Sequence, residues 1–301
     1  MVLLFLLLPA AGIIFFLTVK NGSDLETVAE NDINYTGQYG AEVQSADQKK
    51  DSSHLQMVIF KVGKADAILL SSEGKNILID TGEEDDGEEL LHYMQEKDIH
   101  KIDAMILTHF DKDHIGGADI ILDNMEVVHV YQPDYDSDSE QFMEYDNSVK
   151  NNNVTVETLS SPVNFTCGGM KAAIYPPLKK NYEQENDFSL VISIAYGEKR
   201  FLFAGDAETQ RLKELVSEEQ EIDGGLAHSF LKIPHHGREE KELSSFLTMV
   251  VPEYAVITCS AKNPPDEEVL ALLKERQIKV FLTSDGNVYG DCDGKKITIW
   301  Q

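Results

Sequence analysis

The sequence is short of cysteine and of positive charge, and each shortage excludes a class of protein. Its three cysteines, Cys167, Cys259 and Cys292, are far apart, odd in number and free of any CxxC pair. They make neither a disulfide framework nor a zinc ribbon, and they read as buried free thiols. Lys and Arg number 26 against 53 Asp and Glu, a formal charge of -27 over 301 residues. A surface this acidic repels polyanions at long range and argues against a protein that coats nucleic acid. A phosphodiester gripped at a metal centre stays open, because a bound cation inverts the local field. No close internal repeat is visible. The apolar fraction, 42%, is ample for a packed core, in one large domain or two small ones.

Charge is missing altogether from Val2 to Val19, VLLFLLLPAAGIIFFLTV. Such a run just spans a bilayer core, and its Pro9 and Gly12 are tolerated in lipid. Residues 1–20 are therefore expected to form a membrane anchor or signal segment. The missing basic n-region and the lack of a clean small-x-small cleavage site favour the anchor, with the folded part outside the cytoplasm. Residues 21–53 are polar, with no sustained apolar period, and read as a linker. The folded domain is expected over residues 54–301.

Within it, apolar runs at Leu55–Phe60, Ala67–Leu70, Asn76–Asp80 and Ile102–Leu107 predict strands, the second and third joined by the Glu73-Gly74 turn. A helix is expected near Glu89–Lys97. Further strands are expected at Val127–Tyr131, Val154–Val156, Met170–Tyr175, Leu190–Tyr196, Arg200–Phe203, Phe230–Ile233, Tyr254–Thr258, Val280–Leu282, around Val288 and at Ile297–Trp300. Helices alternate with them at Ala118–Leu122, Ser137–Asn151, Ala207–Ser217, Leu243–Met249 and Asp266–Arg276. Hairpins first, then alternation, met twice, suggest an α/β (α+β) fold of two mixed sheets packed face to face with helices outside.

The chemistry concentrates in Thr108-His109-Phe110-Asp111-Lys112-Asp113-His114-Ile115-Gly116-Gly117. Four side chains able to bind a metal fall within six positions, between an apolar run and a Gly pair. That pattern is a strand, a loop and a helix start. Buried carboxylates and imidazoles need partners, and a cation satisfies all of them together. Other strand ends carry Asp80, Asp206 and the His235-His236 pair. If these strands share a sheet edge, their loops converge on the set a two-metal hydrolase needs. Asp66 reads as a turn residue. His54, His92, His100, His129 and His228 read as surface or structural.

The ordered motifs from Leu55 to Trp300 resemble the metallo-β-lactamase superfamily, and within it the hydrolase domain of ComEC-type competence proteins and their stand-alone relatives. The stretch His109–Gly117 is similar to that group's HxDxDHxGG. Val62-Gly63-Lys64-Ala65-Asp66-Ala67 is similar to its VGQGDA, with Lys64-Ala65 in place of Gln-Gly. Ile79-Asp80-Thr81-Gly82, Asn186-Asp187-Phe188-Ser189-Leu190, Phe203-Ala204-Gly205-Asp206 and Leu231–Gly237 follow in the group's order. The resemblance implies an αββα four-layer sandwich and two divalent metal ions, zinc or manganese, with magnesium also compatible. It implies His109 and Asp111 at the first ion, Asp113 and His114 at the second, Asp206 bridging, and one of His235 and His236, by preference His235, completing the second site. Asp113, Asp206 and His236 would be catalytic. Asn186, Ser189 and Lys232 would contact substrate, while Asp80 and Asp66 would support the ligands from behind.

Two departures stand out. Asp111 occupies a position where most of the superfamily has His, and the middle histidine is missing, with Asn186, Asp187 and Ser189 in its region. A harder, more oxygen-rich first site shifts preference from zinc towards manganese or magnesium. The implied activity is hydrolysis of a phosphodiester, nucleic acid or a related substrate, by a metal-bound hydroxide. The alternatives are an amide, ester or lactone hydrolase at the same centre, or a non-catalytic binding module with a degenerate metal site. No protein partner is expected.

Overall fold

The computed structural model describes residues 53–217 and 220–301. The anchor or signal segment expected over residues 1–20, and all but the last residue of the linker expected over 21–53, lie outside the described residues. Among the described residues no helix is long and apolar enough to cross a membrane.

Two sheets carry the fold. The first has eight strands, in spatial order Ile297–Trp300, Val288–Cys292, Leu55–Ile59, Ala67–Ser72, Lys75–Thr81, Ala104–Ile106, His129–Pro133 and Thr155–Leu159. The second has seven, in order Lys279–Leu282, Tyr254–Ile257, Phe230–Lys232, Lys199–Phe203, Val191–Tyr196, Met170–Tyr175 and Val163–Cys167. Each sheet is antiparallel at one side and parallel at the other. Parallel neighbours need crossovers, and helices supply them.

The period-two alternation of the strands decides which residues meet. Ile77 and Ile79 face inward, with Ile192, Ile194, Phe201 and Phe203 of the second sheet in the same buried cluster. Leu78 and Leu69 point the other way, towards Leu90 and Met94 of the Asp86–Glu96 helix and Ile121 and Leu122 of the Ala118–Asn124 helix. On the far side, Leu202, Leu231 and Ala255 pack under the helices Thr209–Val216, Leu243–Val250 and Glu267–Glu275. Central strands are thus apolar on both faces, which is why they read as unbroken apolar runs. The layers are helix, sheet, sheet, helix: the expected αββα sandwich.

One strand was not expected. Val163–Cys167 forms the edge of the second sheet, paired only with Met170–Tyr175 among the described residues. Its apolar residues alternate with Asn164 and Thr166 as an edge strand's do.

The metal-binding candidates gather because their loops leave the strands at one end of the sandwich. Asp66 precedes Ala67–Ser72, while Asp80 lies within the last two positions of Lys75–Thr81. Residues 109–114 follow Ala104–Ile106, Asp206 follows Lys199–Phe203, and His236 follows Phe230–Lys232. The Asp66 N–H donates to the Asp113 carbonyl (3.0 Å), and the Leu190 N–H donates to the Thr108 carbonyl (2.9 Å), tying loops of both sheets to the His109–His114 segment.

Candidate metal centre

Asp206 sits at the middle of the site. Its Oδ2 lies 3.4 Å from His114 Nε2 and 2.9 Å from His236 Nε2. His236 Nε2 is also 3.4 Å from Asp113 Oδ2. Ligand atoms sharing an ion at about 2.1 Å lie roughly 3–3.5 Å apart, so the spacings are those of a coordination shell. His109, His114 and Asp206 form one group whose ligand atoms all lie within 4.8 Å, and Asp113, His114 and His236 form a second.

The imidazoles are aimed by what stands behind them. Asp80 accepts from the Thr108 N–H (2.7 Å), the Thr108 hydroxyl (2.7 Å) and His114 Nδ1 (2.8 Å). The Thr108 hydroxyl has spent its proton on Asp80, so it accepts from His109 Nδ1 at 3.0 Å. The same logic holds at His236. The Thr258 hydroxyl donates to Asp66 (2.6 Å) and accepts from His236 Nδ1 (3.0 Å). All three rings therefore carry hydrogen on Nδ1, an assignment from their neighbours. Their Nε2 atoms are buried and have no hydrogen-bond partner. A buried polar atom left unpaired costs free energy unless something binds it, and three around one carboxylate fit a divalent cation.

Charge makes the same point. Burial opposes ionisation of Asp206, yet His236, His114 and Lys232 hold its carboxyl well below the usual range. Burial likewise opposes the charged form of His114, but Asp206 and Asp80 outweigh it and raise that imidazole well above normal. His236 is raised against burial by Asp206 and Asp113. His109, by contrast, is pushed well down by burial and by the His114 charge. The cluster asks for positive charge, which protons supply where no ion does; metal binding releases them.

Lys232 is fully buried. Its ammonium pairs with Asp66, and it lies 3.3 Å from Asp206 Oδ1 and 3.2 Å from the Gly205 carbonyl. It anchors Asp206 from below and has no exposed surface to offer a substrate. Ser189 is also fully buried, its hydroxyl accepting from the Asp206 N–H at 3.1 Å. Neither geometry fits the substrate contact expected of these residues. Asn186 is half-buried; its amide donates to Glu208 (2.9 Å) and its Oδ1 is unpartnered. Asp187 accepts from the N–H groups of Glu208 (3.1 Å) and Arg211 (2.9 Å), securing the start of the Thr209–Val216 helix.

The structure brings His236, not His235, to Asp206. Both residues have left-handed backbones, φ 49° and 52°, so the chain turns sharply between them. His235 is a quarter exposed and faces Glu240 at 3.1 Å and Glu208 at 3.7 Å. The preference for His235 at the second ion does not fit this geometry. Asp111 is the most open of the expected ligands, 39% exposed, with Oδ2 3.9 Å from His109 Nε2. Asp66 and Asp80 stand behind the imidazoles. Thr258 was not expected, and neither was Lys64, whose Nζ lies 2.5 Å from Asp113 Oδ2.

Residues 61–260 match the family described as the Metallo-beta-lactamase superfamily. The chain is similar to ComE operon protein 3 of Bacillus subtilis, 25% identical over 197 residues, which are 64% of this chain and 25% of that protein. It is also similar to Recombination protein 2 of Haemophilus influenzae, 27% identical over 214 residues, 69% of this chain and 25% of that protein. The chain thus spans about a quarter of the length of these curated relatives. Among solved structures, Tm1679, a metal-dependent hydrolase of the beta-lactamase superfamily, shares the fold. The TM-score is 0.52 at 12% identity, over 77% of this chain and 98% of that one.

Proposed function

The chain belongs to the metallo-β-lactamase superfamily, and we propose that it hydrolyses a phosphodiester, nucleic acid or a related substrate, at a pair of divalent ions. We place it outside the cytoplasm, held to a membrane by the uncharged run at residues 2–19. The observation that carries the reading is the set of orphaned Nε2 atoms of His109, His114 and His236 around Asp206. The donor set is rich in oxygen, with Asp111, Asp113 and Asp206 beside three imidazoles, which suits manganese as well as zinc. A second support is that one of the relatives is named for recombination.

Divalent ions held there supply Lewis acidity and lower the pKa of a water molecule. The chain's residues do the rest. Asp206, its Oδ2 3.4 Å from His114 and 2.9 Å from His236, would help to hold both ions. Asp80 and Thr258 hold the imidazoles in one orientation, so no reorganisation is needed at the moment of reaction. Asp113, kept ionised by His236, His114 and Lys64 against the effect of burial, is placed to hold the proton of an attacking water. His236 stands beside both carboxylates, where it can steady an anionic oxygen.

The test is hydrolysis of bis(p-nitrophenyl) phosphate against nitrocefin, with manganese or zinc added to metal-free protein. Turnover of the phosphodiester alone is expected, lost to background in Asp206→Ala. Turnover of nitrocefin alone would move the assignment to amide chemistry, and full activity in Asp206→Ala would remove the bridging role.

A further inference from the structure

The two lysines of the site differ in what they can do. Lys232 is buried and pinned by Asp66, Asp206 and the Gly205 carbonyl. Lys64 is 36% exposed and has one close partner, the Oδ2 of Asp113. That same oxygen faces the orphaned Nε2 of His236 at 3.4 Å. An ion seated between Asp113 and His236 therefore meets the oxygen that the ammonium already holds. No ammonium stands on the corresponding oxygen of the other group. Asp206 gives Oδ1 to Lys232 and turns Oδ2 towards His236 at 2.9 Å and His114 at 3.4 Å, imidazoles that exchange a proton for an ion without leaving the site.

We propose that the Lys64 ammonium is a built-in, displaceable occupant of the second half of the metal centre, so the two ions load unequally. The first enters at His109, His114 and Asp206. The second, between Asp113 and His236, has to displace Lys64 from Asp113. Lys64 is placed for this by the backbone. The Ala65 N–H closes a turn on the Val62 carbonyl (3.1 Å), and the Asp66 N–H bonds to the Asp113 carbonyl (3.0 Å), so the turn rides on the Asp113 loop. A lysine is a compact point charge on a flexible stem and can withdraw into water, as a guanidinium forked onto a carboxylate cannot so readily. With Lys64 on Asp113, the carboxylates of Asp66, Asp80, Asp111, Asp113 and Asp206 face two ammonium groups. One divalent ion nearly balances what is left, and a second is favoured only once an ammonium has moved away.

This inference rests on the metal centre argued above, and the experiment separates the two. Metal-free whole chain is titrated with manganese, counting free ion by its electron paramagnetic resonance signal, for wild type, Lys64→Gln and Lys64→Arg. Wild type is expected to bind one ion tightly and a second at least tenfold more weakly. Lys64→Gln should tighten the second ion about tenfold and leave the first unchanged, while Lys64→Arg should stay as weak as wild type or weaker. Equal second-ion affinity in wild type and Lys64→Gln, with ions bound, overturns the role of Lys64 and leaves the metal centre standing. Absence of bound ion in both proteins overturns the metal centre and this inference with it.

Discussion

At the scale of single residues, the site turns on which nitrogen faces which oxygen. His236 Nε2 lies 2.9 Å from Asp206, whereas His235 looks out to Glu240 and Glu208. His236→Ala should therefore lose one ion by elemental analysis and fall at least about 100-fold in activity, the scale of losing a catalytic electrostatic group. His235→Ala should keep its metal. The sequence could not make this choice: two adjacent imidazoles have the same chemistry, and only the left-handed turn between them separates their directions. His228 offers a second test. Its Nε2 accepts from Ser193 at 2.8 Å and its Nδ1 donates to the Leu226 carbonyl at 2.8 Å, so the ring is neutral with both nitrogens used. Burial pushes its pKa down to about 4, with the Leu226 carbonyl opposing. In the unfolded chain it titrates near 6.5, so the unfolded state binds the extra proton first as pH falls. The contribution is whole above about 6.5 and is lost as pH falls through about 4, a span worth roughly 3 kcal/mol. Urea midpoints measured from pH 7 to 4 should fall less steeply in His228→Gln than in wild type; parallel curves would exclude the effect.

At the scale of elements, the site depends on turns that hold ligands at strand ends. Gly205 has φ 52°, and a Cβ there would stand 2.9 Å from both Ser189 Oγ and Thr108 Cβ. Gly205→Ala thus both strains the backbone, at roughly 1–2 kcal/mol for a left-handed non-glycine residue, and pushes Asp206 away from His114. Denaturant unfolding should show that loss, and manganese affinity should weaken about tenfold or more. Unchanged affinity with lowered stability would mean the turn relaxes without moving Asp206. The strands and helices were legible because apolar periodicity survives in almost all of them, from Leu55–Ile59 to Ile297–Trp300. Val163–Cys167 was not, because an edge strand follows a weaker pattern. The candidate ligands were legible as polar residues closing apolar runs. Their supports were less so. Thr258 meets Asp66 across 192 positions of sequence, and Lys64 meets Asp113 across 49. Nothing local in either segment announces such a contact. Ser189 and Lys232 misled for the converse reason: their chemistry suits a substrate, and only burial shows that they serve Asp206 instead.

At the scale of the whole molecule, the centre lies between the sheets and draws on both. His109, Asp113 and His114 follow strands of the first sheet, while Asp206 and His236 follow strands of the second. In a chain of formal charge -27, these carboxylates add to a general excess of negative charge that opposes compaction. An ion binding only the folded state would therefore offset local repulsion and clamp one sheet to the other. At a free concentration about 100 times its Kd, such an ion stabilises by about 2.7 kcal/mol. For a domain of this size each kcal/mol moves Tm by about 2–4 °C, so a rise of about 5–11 °C over chelator-treated protein is expected. The rise should saturate with metal concentration. It should vanish in Asp206→Ala, which removes the oxygen common to His114 and His236. That variant should also differ from wild type in its metal-free Tm, because it relieves one buried negative charge and leaves Lys232 with Asp66 alone. A metal-independent Tm in wild type would mean that ions, if bound, hold the unfolded chain equally well, and the clamp between the sheets would be abandoned.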